Sequence, residues 1–270
     1  MKKILIAALA FAAAGSAMAA PTNPLVAPES AAPVAKTPYV YELGVSTHRE
    51  LYEEFADGDK LMQEEAIMTT VRAGVSRAIG DTGGTVVLNS QFGFGKGDYT
   101  GSYMDGAYGD LHVNGLKRTL VDVSATYKQT AEAWSGLTAG VGIGYRRLVD
   151  NLQDGGPGGY KRTNKRTYLT ASLERAIEFS AWTVTPAVQY KHILSSKQTS
   201  DLLGGVTVDQ PSGHGAEASI AFIRKSEGYR TIITPFFRIW DIKDSDVHKS
   251  GLYEPRNKTK EAGVAVTYQF

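Results

Sequence analysis

Two segments set a carboxylate two residues before an imidazole: Asp110-Leu-His112, with Asp105 upstream, and Asp246-Val-His248, with Asp244 upstream. A carboxylate that orients a histidine lets the ring take a proton from water, which is the chemistry of general-base hydrolysis. The same atoms could ligate a metal, but two donors do not define a site. His192 and Ser195 make a third pairing, an imidazole near a hydroxyl as acyl hydrolysis requires, and nothing around Ser195 marks it as a nucleophile. Asp, Gly and His together also compose a solvated hairpin tip, and a lone His near a strand end reads as an interfacial side chain. The chain has no Cys, which removes disulfides, thiolate ligands and thiol nucleophiles. No catalytic residue, metal or cofactor is expected, and the chain is read as a non-enzyme.

The scaffold that must carry these residues is clearest at the C-terminus. Counting back by twos from Phe270 gives Tyr268, Val266, Val264 and Ala262, while Gln269, Thr267, Ala265 and Gly263 between them are polar or small. Period two marks a β-strand with one apolar and one polar face. The same alternation predicts strands over 41–46, 67–76, 88–94, 121–127, 137–146, 168–174, 182–191, 216–222 and 233–240, making about ten with the last. Long polar connections, at 48–65, 95–116, 149–163, 195–213 and 241–257, alternate with brief turns near 79–84, 129–134, 177–181 and 225–229. Asp57-Gly-Asp59 and Gly155-Gly-Pro-Gly-Gly159 are turn signals inside the long connections, so strands are expected to protrude on that side. Thr185-Pro186 and Thr234-Pro235 each predict a bulge or kink, because proline removes a ladder hydrogen bond. Tyr39, Tyr41, Tyr127, Trp134, Phe179, Trp182, Tyr229, Tyr268 and Phe270 fall near the short-turn ends of the strands.

The other end of the chain reads as an export signal. Lys2 and Lys3, an apolar stretch over 4–14 and Ala17-Met-Ala19 form the pattern of a signal peptide over residues 1–19, cleaved near Ala19. Residues 20–37 are rich in Ala and Pro, an extended leader that cannot pack a core, and 38–270 is the folded domain. Mean hydropathy is below zero, as expected when only every second residue faces lipid.

With these features the chain resembles bacterial outer-membrane β-barrel proteins, the porin-like superfamily. The resemblance implies an all-β fold: a closed antiparallel up-and-down transmembrane β-barrel of about ten strands, eight or twelve being the neighbouring even counts. It implies the outer membrane of a Gram-negative bacterium, with short turns in the periplasm and long connections outside. Phe270, Tyr268, Val266 and Val264 would be the signal read by the barrel-assembly machinery. Periplasmic chaperones, outer-membrane lipids and lipopolysaccharide would be the other partners of a monomer. Omptins, ten-stranded outer-membrane proteases, also carry Asp and His at the outer rim. They need an Asp pair facing an Asp-His pair across the mouth, whereas both Asp-x-His units here fall in separate long connections.

The polar faces then line an interior. They carry Glu42, Asn89, Gln91, Asp122, Glu174, Gln189 and Glu217 beside Arg72, Arg118, Arg146, Lys191 and Arg238. Opposite charges in so narrow a lumen are expected to pair, because isolated buried charges are costly. The same set could instead line a narrow path for small polar solutes. Gly140, Gly142 and Gly144 would leave a groove there or receive large neighbours such as Phe236 and Trp240. The formal net charge of +1 gives no reason to expect nucleic acid. The segment 97–109 mixes Tyr with Gly and Ser, which suits surface adhesion as an alternative function.

Overall fold

The computed structural model describes residues 39–80, 83–103, 106–131, 133, 135–156 and 159–270. The signal peptide, the leader, Asp105 and Trp134 lie outside the described residues. The twelve described strands are β1 (Tyr39–Ala56), β2 (Asp59–Ile79), β3 (Gly84–Gly101), β4 (Leu111–Ala131), β5 (Leu137–Asn151), β6 (Lys161–Arg175), β7 (Ile177–Glu178), β8 (Trp182–Ser200), β9 (Val206–Asp209), β10 (Gly213–Ser226), β11 (Tyr229–Ile242) and β12 (Arg256–Gln269). Ten of them pair with their neighbours all the way round, β12 returning to β1, in a closed antiparallel barrel. β7 and β9 are short additions on the edges of β8. Closure leaves no unpaired edge, the condition for a sheet to cross a bilayer.

The alternation seen in the sequence decides which way each side chain points. Ile67 is 60% exposed while its neighbours Ala66 and Met68 are 2% and 0% exposed. Leu43, Val45, Val71, Phe92, Val141, Leu169, Val188, Ile220 and Phe237 are likewise exposed, and they cover the wall in an apolar belt. Glutamates and arginines are buried instead. That inversion of a soluble protein belongs to a barrel in a membrane. At the end carrying Tyr39 and Phe270, the belt is edged by exposed Tyr39, Tyr41, Tyr127, Phe179, Trp182, Tyr229, Tyr268 and Phe270. Tyr41 stacks on Phe270 with ring centroids 6.2 Å apart. Amphipathic rings at one level form the girdle of a membrane interface.

The protruding hairpin implied by Asp57-Gly-Asp59 is present, and two other local expectations change. Over residues 48–65, β1 and β2 continue until only Asp57 and Gly58 separate them. Both have positive φ, 52° and 94°, as a two-residue hairpin turn of the right twist requires. The hydrophobic alternation stops there because both faces are polar above the belt. Around Pro235 the β10–β11 ladder loses its pairs at Ile220 and Ala221, yet its register is the same on either side, so no bulge forms. At Pro186 the β6–β8 ladder simply ends, at Glu174 opposite Ala187. The register shifts lie elsewhere, at Glu54/Phe55, Gly97/Tyr99 and Thr167/Tyr168. Finally, Gly155 closes a 3-10 turn begun at Leu152 rather than a tight β-hairpin.

Candidate functional site: a charged chain through the barrel

Every second residue of β1 points inward, and above the belt these are His48, Glu50, Tyr52 and Glu54. Glu261 of β12 lies directly opposite Glu50 in the ladder, so two buried carboxylates are neighbours. Their repulsion is answered from across the lumen. Arg146, on β5, donates from Nη2 to Glu50 Oε2 at 3.1 Å and to Glu261 Oε1 at 2.7 Å. The chain of alternating charge continues both ways. On one side, Arg238 Nη1 reaches Glu261 at 2.7 Å and its Nε reaches Glu217 at 2.5 Å, while Lys191 Nζ lies 2.7 Å from Glu217. On the other, Arg118 Nε lies 2.8 Å from Glu50 and 3.1 Å from Asp150, and its Nη1 pairs with Glu64. Arg162 then joins Asp150 at 3.1 Å, Glu64 at 2.8 Å and Glu54. Arg118, Arg146, Arg162 and Arg238 are each at most 2% exposed. Charges this deep persist only when paired and hydrogen-bonded.

Aromatic rings pack against the chain. Trp240 meets Tyr168 edge-on at 5.3 Å, and the cationic groups of Arg146, Arg166 and Lys191 lie 5.7, 5.8 and 5.1 Å from its ring. Tyr168 donates to Asp122 Oδ1 at 2.7 Å. The glycines of β5 do not receive Phe236 or Trp240. A Cβ on Gly144 would strike the Tyr168 ring, one on Gly142 would strike Thr126, and Trp240 instead covers Gly215.

At the end away from the girdle, the connection 243–255 folds over the mouth. Glu254 is 6% exposed and accepts a hydrogen bond from the Gln198 side chain of β8. The Tyr52 hydroxyl lies 2.9 Å from Glu54 and 3.2 Å from Glu254, and its single proton serves one of them at a time. Burial first, and then the Glu54 charge, hold the Glu254 carboxyl well above the usual carboxylate range.

Of the inward residues read from the sequence, Arg72, Asn89, Gln91, Arg118, Asp122, Arg146, Glu174, Lys191, Glu217 and Arg238 are buried, and Glu42 and Gln189 are half-buried. Arg118, Arg146, Lys191, Glu217 and Arg238 belong to the chain; Glu174 pairs with Lys128 at 2.7 Å, and Glu42 accepts from Gln269 at 2.8 Å. Sequence reasoning passed over Glu50, Tyr52, Glu54, Glu64, Asp150, Arg162, Glu254 and Glu261. Spacing by twos from Glu42 through His48 to Glu54 was the signal that could have found the first three.

His48, Glu50 and Glu261 bring three potential ligand atoms within 4.8 Å of one another. Both carboxylates already balance Arg118, Arg146 and Arg238, so the set has no negative charge left for a divalent ion. At the rim, His112 Nδ1 shares a hydrogen bond with Thr100 Oγ1 at 3.0 Å, and Asp110 caps the backbone N–H of Ala107 at 2.7 Å. His248 Nδ1 lies 2.8 Å from Ser250 Oγ, and Asp244 accepts from the Arg256 N–H at 2.6 Å. The two units sit on different segments, each imidazole held by a hydroxyl. His192 is exposed on the apolar wall, opposite His214 in the ladder.

No family model and no curated protein matches the chain. Solved structures similar to it are outer-membrane β-barrels. The outer membrane protease OmpT from Escherichia coli is 11% identical over 87% of this chain and 98% of that one, with a TM-score of 0.47. The translocator domain of the autotransporter NalP from Neisseria meningitidis is 11% identical over 85% and 88%, with a TM-score of 0.39. Neisserial surface protein A is 7% identical over 86% and 96%, with a TM-score of 0.33.

Proposed function

We propose that this chain is an integral barrel of a Gram-negative outer membrane that its own side chains keep closed at rest. In this reading the signal over 1–19 is removed on export, the Tyr39/Phe270 end faces the periplasm, and the capped mouth faces outside. The observation that carries it is Arg146, joined across the lumen to Glu50 and Glu261 within a run of buried ion pairs. In this reading the buried ion pairs occlude a passive path, and the barrel is a structural or small-solute element rather than an open porin. The rim Asp-x-His units are assigned no catalytic role. Outer-membrane lipids, periplasmic chaperones and the assembly machinery are its partners, the last through the Phe270 strand.

Single-channel recording of the refolded protein in a planar bilayer tests this. The wild type should be silent, with folding shown by heat-modifiable gel mobility. Arg146→Gln combined with Glu261→Gln, which removes the crossing link and one of its acids, should produce discrete current steps. Large, stable conductance of the wild type would sink the closed-lumen reading.

Surface recognition is a second reading, favoured by Tyr103, Tyr108, Val247 and Tyr253, which stand exposed on the connections at the capped end. Aromatic side chains on an exposed rim supply contact area to a partner at low entropic cost.

A further inference from the structure

Arg166 of β6 points into the lumen and is 3% exposed. Unlike the arginines of the charged chain, it has no carboxylate in salt-bridge contact among the described residues. Its Nη2 donates to the neutral Asn257 side chain of β12 at 3.0 Å, and its guanidinium lies 5.8 Å from the Trp240 ring. In the β5–β6 ladder it stands directly opposite Arg146, so two like charges are neighbours. The surrounding acids are committed elsewhere. Glu50 and Glu261 serve Arg118, Arg146 and Arg238. Glu54, opposite Asn257 in the ladder, serves Arg162. Glu254 is bound by Gln198, and burial favours its neutral form.

The groups around this guanidinium are short of acceptors. Arg166 Nε, Asn257 Nδ2 and Trp240 Nε1 are buried and meet no hydrogen-bond partner among the described residues. All three can only donate, and the Asn257 amide is fixed in its orientation because its oxygen faces Arg166. Two hydroxyls are likewise unmet: Ser196, directly opposite Arg166 in the β6–β8 ladder, and Thr259, directly opposite Trp240. Buried donors left unmet are costly, and a buried charge left unbalanced is more so.

We propose that Arg166, Asn257, Trp240, Ser196 and Thr259 form a buried site for one small monovalent anion, of the size of chloride, beneath the 243–255 connection. Such an ion accepts from the donors and balances the guanidinium together. A water would accept from them and leave the charge, whereas hydrogen bonds to an ion are the stronger kind. A cation is repelled by Arg146 and Arg166. The five residues are at most 3% exposed, which confines the occupant to about the size of one water and leaves out phosphate and carboxylic solutes. The inference concerns this site alone and does not depend on whether the lumen conducts.

Urea unfolding of the refolded full chain, read by gel mobility while chloride replaces gluconate at constant ionic strength, tests it. Above the dissociation constant of the site, each tenfold rise in chloride should lower the wild-type unfolding constant about tenfold. Bromide should act alike and sulfate should not. Arg166→Gln should lose the dependence. Asn257→Asp sets a carboxylate of the same shape against Arg166, so it should also lose the dependence and unfold less readily than the wild type in gluconate. Arg49→Gln, at an exposed pair on the outer wall, should keep it. Should Arg166→Gln fail to fold, Asn257→Asp carries the comparison. A wild type indifferent to chloride would assign the donors to water and overturn the proposal. An equal response to sulfate, or an equal chloride response in all variants, would mark a general salt effect and overturn it as well. None of these outcomes touches the conductance, so the closed-lumen reading stands or falls separately.

Discussion

Arg146 shows how one side chain can hold a barrel together. Its guanidinium answers two carboxylates on neighbouring strands that would otherwise repel, and it does so from the far wall. Arg146→Met should therefore destabilise the fold by about 3–5 kcal/mol, because Glu50 and Glu261 would lose the group that sits between them. Arg146→Lys should cost less but more than nothing, since an ammonium keeps the charge and loses the fork that reaches both acids. Urea titration followed by gel mobility reads both; a midpoint unmoved by Arg146→Met would show that the link carries no stability. The identity of Arg146 as an inward cation was legible from its place on an alternating strand. Its partners were not. Glu261 directly precedes the apolar series of β12, and Glu50 lies where the alternation has lost its apolar half, so neither announced which way it pointed. Which acid meets which base depends on the stagger of strands far apart in sequence, and single-strand periodicity carries no such information.

At the scale of elements, the ten membrane strands were legible, and the turn signal at Asp57-Gly-Asp59 marked β1 and β2 as protruding, while the alternation alone did not show how far pairing runs. Lipid imposes the hydrophobic period only across its own thickness. Beyond it β1 and β2 keep pairing to the turn at Asp57 and Gly58, with cross-strand ion pairs such as Arg49–Glu65 at 2.7 Å in place of apolar contacts. The least legible element is the connection 243–255, a polar stretch by composition that places Glu254 inside the mouth. Its hold should depend on pH. The Glu254 carboxyl, held well above the usual carboxylate range by burial and then by the Glu54 charge, favours a protonated folded state. A group whose folded value is raised contributes fully below its unfolded value and loses that contribution as pH rises through the folded one. The cap should thus be tightest below the unfolded carboxylate value and loosen as pH rises through the raised Glu254 value, and hydrogen exchange along 243–255 should accelerate more over that rise than base catalysis alone explains. Glu254→Gln, which cannot ionise, should remove most of the excess. An excess that survives in Glu254→Gln would assign it to some other group.

For the molecule as a whole, the sequence carried the architecture because a closed membrane sheet imposes one rule on every strand, and the rule is visible in each alone. It carried the function only as far as the membrane, because the proposed closure of the lumen depends on ion pairs that form only in the assembled interior. The final strand joins the two scales. Phe270 exchanges both backbone hydrogen bonds with Tyr41, at 2.8 and 2.9 Å, and its ring stacks on Tyr41, so the last residue pins the seam at which β12 meets β1. The resemblance to outer-membrane barrels would give the same residue a second role, as part of a signal for assembly. Deleting Phe270 distinguishes them. If its role is chiefly to close the seam, refolding into detergent or pure lipid should suffer as much as insertion in cells, with a stability loss of about 1–3 kcal/mol from one stacked aromatic and two backbone hydrogen bonds. If its role is chiefly recognition, refolding should be nearly normal while insertion in cells fails. The geometry allows a substitution that separates the two further. Phe270→Leu keeps the backbone pair and an apolar side chain but loses the ring, so it should preserve most of the refolding yield. A cellular defect in Phe270→Leu as severe as the deletion would then place the ring in recognition, and normal insertion of both variants would exclude a signalling role for the residue.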